Sequence, residues 1–226
     1  CIRDRVSIIP RPVFTFFYVV CAIFLAYAYN QWNKSNMFIN VVGQFYAGFV
    51  VLIGMSIVVD LDMMLGLIAL IIGLNGVYLN IVEADIKDIS GDIVNVPKAL
   101  GVRVTDGKAY NVLKFYLVND LIKIGMFLLI LWVLFLQDAI FWFYVVAIGL
   151  FFLNYGVRIL LFKNLGKDRE VLKRFIAGQE LTSILLIGTV FMVVSVWIPL
   201  ILVVFVIVWL SLWNKILWNT YFRPQV

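Results

Sequence analysis

The sequence contains no histidine and only two cysteines among its 226 residues. Histidine is the usual side chain for proton transfer near neutral pH and a common ligand of zinc and haem. Its absence therefore excludes His-based catalysis, His-ligated zinc and haem with a histidine ligand. Cys1 and Cys21 form neither a metal-binding pattern nor a disulfide framework.

Charge is also scarce, because charged residues make up 14% of the chain and hydrophobic residues 64%. A soluble domain has about a quarter charged residues and under half apolar ones. Apolar runs here reach about 20 residues, the length that crosses a bilayer as a helix. Runs such as 126–136 and 200–210 do not alternate as barrel strands must. The sequence therefore predicts an all-α, polytopic transmembrane helical bundle.

Seven spans can be drawn in this bundle, and no second soluble domain is visible, so 1–226 is predicted to be a single transmembrane domain. The spans cover roughly 13–29, 37–58, 62–82, 112–136, 139–162, 181–197 and 198–218. The fifth is expected to end near Arg158, and a tight turn at Trp197–Pro199 is expected to separate the last two. The longest polar connections are 83–111 and 163–180.

Lysine and arginine collect on one side of these spans. The net charge of +5 does not indicate nucleic-acid binding, because Lys and Arg in a membrane protein mark its cytoplasmic side. Connections 30–36, 83–111 and 163–180 carry them, whereas the connections near 60, 137 and 198 carry none. We expect an integral protein of an inner, plasma or organellar membrane, in contact with the lipid bilayer, with connection 83–111 facing the cytoplasm.

An acidic segment directly follows the third span. Asp85, Asp88 and Asp92 are separated by three and four residues, which places them on one face of a helix. Clustered carboxylates repel one another, and a divalent cation bound between them compensates this electrostatic repulsion. Oxygen ligands suit Mg²⁺, which typically lies between a few carboxylates and substrate phosphates. The alternative is an ordinary solvated helix end, with Lys87 as a partial counter-charge.

Polarity continues on both sides of the acidic segment. Asn75, Asn80 and Glu83 extend it back into the preceding span, where polar groups usually face an interior cavity. On the other side, Val96–Val102 is expected to be a short extended stretch that contains the glycine at 101, followed by Thr105–Ala109 at the entry to the next span.

The series Asp85-x-x-Asp88-x-x-x-Asp92, then a Val-Pro…Leu-Gly element, resembles the second aspartate-rich motif of the UbiA-type intramembrane prenyltransferases. The usual form there is Asp-x-x-Asp-x-x-Gly-Asp, followed by a Thr-Leu-Pro-Val-like strand and a glycine. Asn95–Lys98 departs from that strand consensus. The order of the downstream spans and the basic loop 167–174 also fit, so the resemblance covers about residues 30–215.

The resemblance implies Mg²⁺-dependent transfer of a prenyl group from a polyprenyl diphosphate to a lipophilic or aromatic acceptor within the membrane. It also implies a central cavity that is open to lipid. The three aspartates would be catalytic metal ligands. Lys98 and Arg103 would contact the diphosphate, or would serve only as topology signals.

The family's first motif, Asn-Asp-x-x-Asp-x-x-x-Asp, is not intact in this sequence. Asp4 followed by Arg11-Pro12 looks like the end of that motif, which makes Asp4 a further metal-ligand candidate. The family places one more span between its motifs than this chain shows. Arg3, Arg5 and Arg11 precede the first span, which places them on the outer side when seven spans are counted. Loss of a span after Pro12 would place them on the cytoplasmic side instead. Alternatively, N-terminal spans are lacking and 1–12 is a loop.

Polar residues within other spans are further candidates for substrate binding. Asp120 and Lys123 are three residues apart and can pair, either at a functional site or as a structural tie between helices. Asn80 and Asn40 are expected to line the cavity, although Asn40 can equally join helices by hydrogen bonds.

Two other functions compete with the enzyme. The absent first motif favours a non-catalytic, UbiA-like structural or accessory subunit of a membrane complex. A cation-coupled transporter is the other alternative, but transporter sites usually lie near the midplane of the membrane, whereas the three aspartates lie at a boundary.

Overall fold

The computed structural model describes residues 11–32, 36–58, 62–79, 86, 89, 95–167 and 169–218. Contacts between residues divide the chain into two compact units, 1–80 and 81–226. This division does not test whether the chain is a single transmembrane domain, which stays a prediction.

The described residues of the first unit form four helices. They are α1 (Arg11–Trp32), α2 (Met37–Val42), α3 (Tyr46–Val58) and α4 (Met63–Leu79), and a 3-10 turn at Gly43–Phe45 joins α2 to α3. Helix α3 packs against both α1 and α4. All four sequences are almost entirely apolar, so packing rather than an amphipathic pattern determines which faces meet.

Polar side chains cap two of these helices at their N-termini. The Asn36 Oδ1 atom accepts hydrogen bonds from the backbone N–H groups of Phe38 and Ile39, at 3.0 and 3.3 Å. The Asp62 Oδ1 atom accepts one from the N–H of Leu65, at 2.9 Å, at the start of α4. Such caps satisfy the N–H groups that have no partner within the first turn of a helix.

A glycine allows α3 and α4 to approach closely. A Cβ atom at Gly48 would lie 2.6 Å from the carbonyl oxygen of Ala69, well inside van der Waals contact. Only glycine fits there, and small residues at such points are typical of helices that associate within a membrane.

Five helices and a β-hairpin have their bounds within the described residues of the second unit. They are α5 (Val96–Ala99), β1 (Arg103–Thr105), β2 (Lys108–Tyr110), α6 (Leu113–Leu136), α7 (Phe141–Lys163), α8 (Arg169–Gly188) and α9 (Ile198–Trp218). A 3-10 turn at Thr189–Phe191 follows α8. Helix α8 packs against α7 and α9, and α7 also packs against α6.

Within the ranges that the structure describes, five helical segments are long and apolar enough to cross a membrane. They are Pro12–Trp32, Phe38–Ile57, Leu113–Leu136, Phe141–Lys163 and Val171–Phe191. Met63–Leu79 and Ile198–Trp209 are apolar but shorter. Large apolar side chains such as Phe16 and Leu121 are exposed along these helices, as contact with lipid requires. The chain is therefore an all-α integral membrane protein, as predicted, with five of the seven predicted spans meeting the length criterion.

The sixth predicted span begins twelve residues too late, because α8 starts at Arg169 and not at 181. The predicted connection 163–180 is therefore helical over most of its length. Leu172, Ile176 and Gln179 are buried at a spacing of four and three, the pattern of an amphipathic helix. Helix α7 also continues past Arg158 to Lys163.

The stretch at 96–102 is not extended as predicted. The Asn95 Oδ1 atom accepts a hydrogen bond from the backbone N–H of Lys98 at 2.9 Å, and Pro97 lies in the first turn of α5. Asparagine at the N-cap and proline in the first turn both favour a helix start. These two residues explain why the segment forms a helical turn.

A hairpin that sequence reasoning did not anticipate follows this turn. Arg103 pairs with Tyr110 and Thr105 with Lys108, in an antiparallel register. Asp106 and Gly107 form the two-residue loop with φ angles of 52° and 71°. Two successive positive φ angles characterise the type I′ turn, for which Asp-Gly is a preferred sequence.

Candidate functional site

The acidic segment itself lies mostly outside the described residues. The predicted metal ligands and one predicted substrate contact that lie outside them are Asp4, Asn80, Asp85, Asp88 and Asp92. Their roles stay predictions. Within the part of the chain that the structure describes, no group of three or more acidic, histidine or cysteine side chains is placed to hold a metal ion.

A cationic cleft of about 880 Å³ lies in the second unit, among α5, β1 and the start of α6. Three basic side chains line it: Lys98 from α5, Arg103 from β1 and Lys114 from the first turn of α6. All three side chains are exposed. Ile89, which follows Asp88 in the sequence, also lines the cleft. A described residue of the acidic segment therefore lines the same cleft as three cationic side chains.

The wall of the cationic cleft is otherwise largely apolar. Leu100, Val102, Val104 and Leu113 contribute to it, and Val102 is buried. No ion-pair partner is described for Arg103 or Lys114 among the residues covered by the structure. An arginine fork and two ammonium groups beside an apolar wall suit an anion with several oxygens, such as a diphosphate, attached to a hydrocarbon chain.

An ion pair between a buried arginine and a half-buried aspartate joins α6 to α7 in the same unit. The Arg158 guanidinium pairs with the Asp120 carboxylate and donates to the carbonyl oxygen of Tyr116 at 3.4 Å. Its carbon lies 4.6 Å from the ring centres of both Tyr155 and Phe162. The aromatic faces and the carboxylate together stabilise the cation within the helices.

A hydrogen-bonded cluster joins α6 and α7 to α8. The Lys123 side chain is 1% exposed, and its Nζ atom donates to Ser183 Oγ at 2.9 Å. Asn154 Nδ2 donates to Thr182 Oγ1 at 2.7 Å, and Gln179 Nε2 donates to Asn154 Oδ1 at 2.9 Å. We call this cluster and the Asp120–Arg158 pair the polar seam.

Two of the predicted substrate contacts that the structure describes line a common cleft, and the others lie within helices. Lys98 and Arg103 line one cleft, as the diphosphate hypothesis requires. The Asp120 carboxylate pairs with Arg158 of α7. The sequence had suggested Lys123, which lies three residues further along the same helix. Asn40 is buried in α2 of the first unit. The polar seam has the geometry of an interhelical tie.

Sequence reasoning missed Lys114 and the α8 members of the polar seam as functional or structural candidates. Lys114 lies at the start of the predicted span 112–136, outside the connection 83–111 that contains Lys98 and Arg103. Asn154 and Arg158 are four residues apart, a spacing that places both on one helix face, so Arg158 need not mark the end of the span. The sixth predicted span starts at 181, whereas α8 starts at Arg169. The prediction therefore left out the first part of the buried face of α8.

These features define the chain as a helical integral membrane protein with a cationic cleft beside its membrane-spanning helices. Comparison of the chain with protein-family models, with curated proteins and with solved structures finds no match.

Proposed function

We propose that the protein is an intramembrane prenyltransferase of the UbiA type. It would transfer a prenyl group from a polyprenyl diphosphate to a lipophilic or aromatic acceptor, in a bundle of seven spans with a cavity open to lipid. The observation that supports this proposal best is the cationic cleft, where Ile89 of the acidic segment lines the same space as Lys98, Arg103 and Lys114.

In this proposal the three basic side chains bind the diphosphate. The bond between the allylic carbon and the diphosphate oxygen breaks, and its electron pair leaves with pyrophosphate. Lys98, Arg103 and Lys114 stabilise the negative charge that develops on the leaving group. The acceptor's nucleophilic atom then bonds to the allylic carbon, and its proton passes to the released pyrophosphate. Apolar residues of the cleft exclude water, which would otherwise react with the carbocation.

Asp85, Asp88 and Asp92, with Asp4 as a further candidate, would hold Mg²⁺. Clustered carboxylates are the donor set that suits this ion. When bound, Mg²⁺ supplies additional neutralisation of the leaving group's charge. The density of Lys and Arg in connection 83–111 supports a cytoplasmic position for this site.

The test is an assay of the full chain with a radiolabelled prenyl diphosphate, Mg²⁺ and a panel of acceptors. Asp88→Asn should abolish transfer while the protein remains folded in detergent. Asp62→Asn is the matched control, because it removes one carboxylate at the exposed cap of α4 and asparagine caps helices equally well. Full activity in Asp88→Asn would contradict the proposal.

The same assay distinguishes the alternatives. A non-catalytic accessory subunit would give no transfer with any acceptor, even when inorganic pyrophosphate and Mg²⁺ bind. A cation-coupled transporter would instead show substrate uptake into vesicles that depends on a cation gradient. Either result would replace the enzymatic proposal.

A further inference from the structure

The tip of the β-hairpin contacts the α7–α8 connection through two glycines. A Cβ atom at Gly166 would lie 2.8 Å from the carbonyl oxygen of Gly107, 2.9 Å from its carbonyl carbon and 3.0 Å from the backbone nitrogen of Lys108. All three are backbone atoms, so no side-chain rotation could relieve the overlap. Gly166 also has a φ angle of +89°, which L-residues with a side chain rarely adopt.

The α7–α8 connection is a well-anchored support for this contact. Leu165 is buried beside Gly166. The backbone N–H of Asn164 donates to Leu161 O at 3.1 Å, and the N–H of Lys167 donates to Asn164 O at 3.0 Å. These bonds extend hydrogen-bonded turns from the end of α7 through residue 167, so the position of Gly166 depends on the position of that helix.

The hairpin, by contrast, is too short to hold its own position. Each strand has three residues, and an isolated two-stranded hairpin is marginally stable at best in water. Yet the cationic cleft depends on it, because Arg103 and Val104 of β1 line the cleft before the turn, and Asn111 and Lys114 line it after β2. The orientation of the cleft wall therefore depends on what the hairpin tip contacts.

We propose that Gly166 is a positioning residue for the cationic cleft. By allowing backbone-to-backbone contact with Gly107, it fixes the hairpin on the α7–α8 connection and holds Arg103 toward an anionic diphosphate group. The contact is a matter of geometry alone, whereas the identity of the ligand rests on the proposed function. Gly166 itself touches no ligand in this proposal.

The test compares Gly166→Ala with Gly156→Ala in the full chain in detergent. Gly156 is the matched control because it lies in α7 and a Cβ atom there would meet no atom within 4 Å. Two measurements are made on each variant. Hydrogen exchange reports the protection of residues 103–110 and of α6 and α7, and titration with inorganic pyrophosphate and Mg²⁺ reports the affinity of the cleft.

We expect faster exchange confined to 103–110 in Gly166→Ala and pyrophosphate affinity weakened by about tenfold or more, since small displacements of a positioning group have large effects. KM for the prenyl diphosphate should rise more than kcat falls, a split that general destabilisation would not produce. Gly156→Ala should behave as the unaltered protein in each measurement.

Two results would overturn the proposal. One is hairpin exchange in Gly166→Ala equal to that in Gly156→Ala, and the other is faster exchange with unchanged pyrophosphate affinity. If the unaltered protein binds no pyrophosphate and transfers no prenyl group, the proposed function fails. Hairpin exchange would then still decide whether Gly166 docks the hairpin.

Discussion

The two units of the chain use different means to hold apolar helices together. In the described part of the first unit no charged side chain is buried, and α3 meets α4 by close backbone approach at Gly48. In the second unit, Lys123 and Arg158 are both buried, and the polar seam connects three helices. The first unit relies mainly on close packing, whereas the second adds buried charged side chains and a hydrogen-bonded cluster.

The difference shows two solutions to one physical problem. Apolar side chains gain little by leaving lipid for another helix, so helices in a membrane associate through van der Waals packing, hydrogen bonds and small residues. Close packing is sensitive to added volume, whereas a polar seam is sensitive to the loss of one partner, because the remaining group is left without compensation. An added methyl group therefore tests the packing of the first unit, and removal of one polar partner tests the polar seam of the second.

The largest effect is expected from Arg158→Met in the second unit. Methionine keeps much of the apolar stem but leaves the Asp120 carboxylate without its cation. Loss of one partner from a buried pair typically costs 3–5 kcal/mol, and we expect about 3 kcal/mol because the Asp120 side chain is 26% exposed. The free energy of unfolding of the full chain in mixed micelles measures this cost.

A second substitution shows whether the uncompensated charge is the cause. Asp120→Asn in the Arg158→Met background should restore part of the lost stability, because it removes that charge. Arg103→Met, at an exposed position on β1, should change stability by no more than about 0.5 kcal/mol. A cost for Arg158→Met no greater than that of Arg103→Met would refute the stabilising role of the polar seam.

An intermediate effect is expected from Gly48→Ala in the first unit. The added methyl group would overlap the Ala69 carbonyl oxygen, and overpacking of this kind costs about 1–3 kcal/mol. Gly54→Ala is the control in the same helix, since a Cβ atom there meets nothing within 4 Å. Because alanine favours helices over glycine, Gly54→Ala should be neutral or stabilising by up to about 1 kcal/mol. Equal stability of the two variants, by the same unfolding measurement, would count against close packing as the support of this unit.

The smallest effect is expected from Thr15→Val, which removes a polar contact from the first unit. The Thr15 and Ser56 hydroxyl oxygens lie 2.8 Å apart, and the Ser56 hydroxyl also bonds to the Ile53 carbonyl oxygen at 2.9 Å. Ser56 thus keeps a partner, and an interhelical hydrogen bond in a membrane averages about 0.6 kcal/mol. A double-mutant cycle with Ser56→Ala measures the coupling. A coupling above that of the Asp120–Arg158 pair would reverse the comparison of the two units.

Helix existence could be predicted from the sequence more reliably than helix ends. Long apolar runs locate both ends of α6 and the start of α7 within two residues, because the bilayer requires such runs. The expected end of α7 near Arg158 is too early, since the helix continues to Lys163. The start of α8 could not be located by hydropathy, because Lys173 and Gln179 are polar residues and are nevertheless buried in this helix. The spacing of Leu172 and Ile176 was the signal that would have found it.

The candidate site shows a similar limit. Lys98 and Arg103 could be proposed from their place after the acidic segment. Both line one cleft, and their contact with a diphosphate stays a prediction. Lys114 could not be added, because its position depends on the hairpin between it and Arg103. The Asp106-Gly107 dipeptide was the signal for that hairpin. The contact between Gly107 and Gly166 joins distant parts of the chain and has no local sequence signal.

The Asp120–Arg158 pair also has a consequence for how the chain enters the bilayer. On insertion scales, an unpaired Asp or Arg costs up to about 2.5–3.5 kcal/mol near the centre of a span. Helices α6 and α7 are joined by only Gln137–Ile140, so the two charges can meet before either helix faces lipid alone. Their attraction favours insertion of α6 and α7 together as a helical hairpin, with the opposite charges neutralised during translocation.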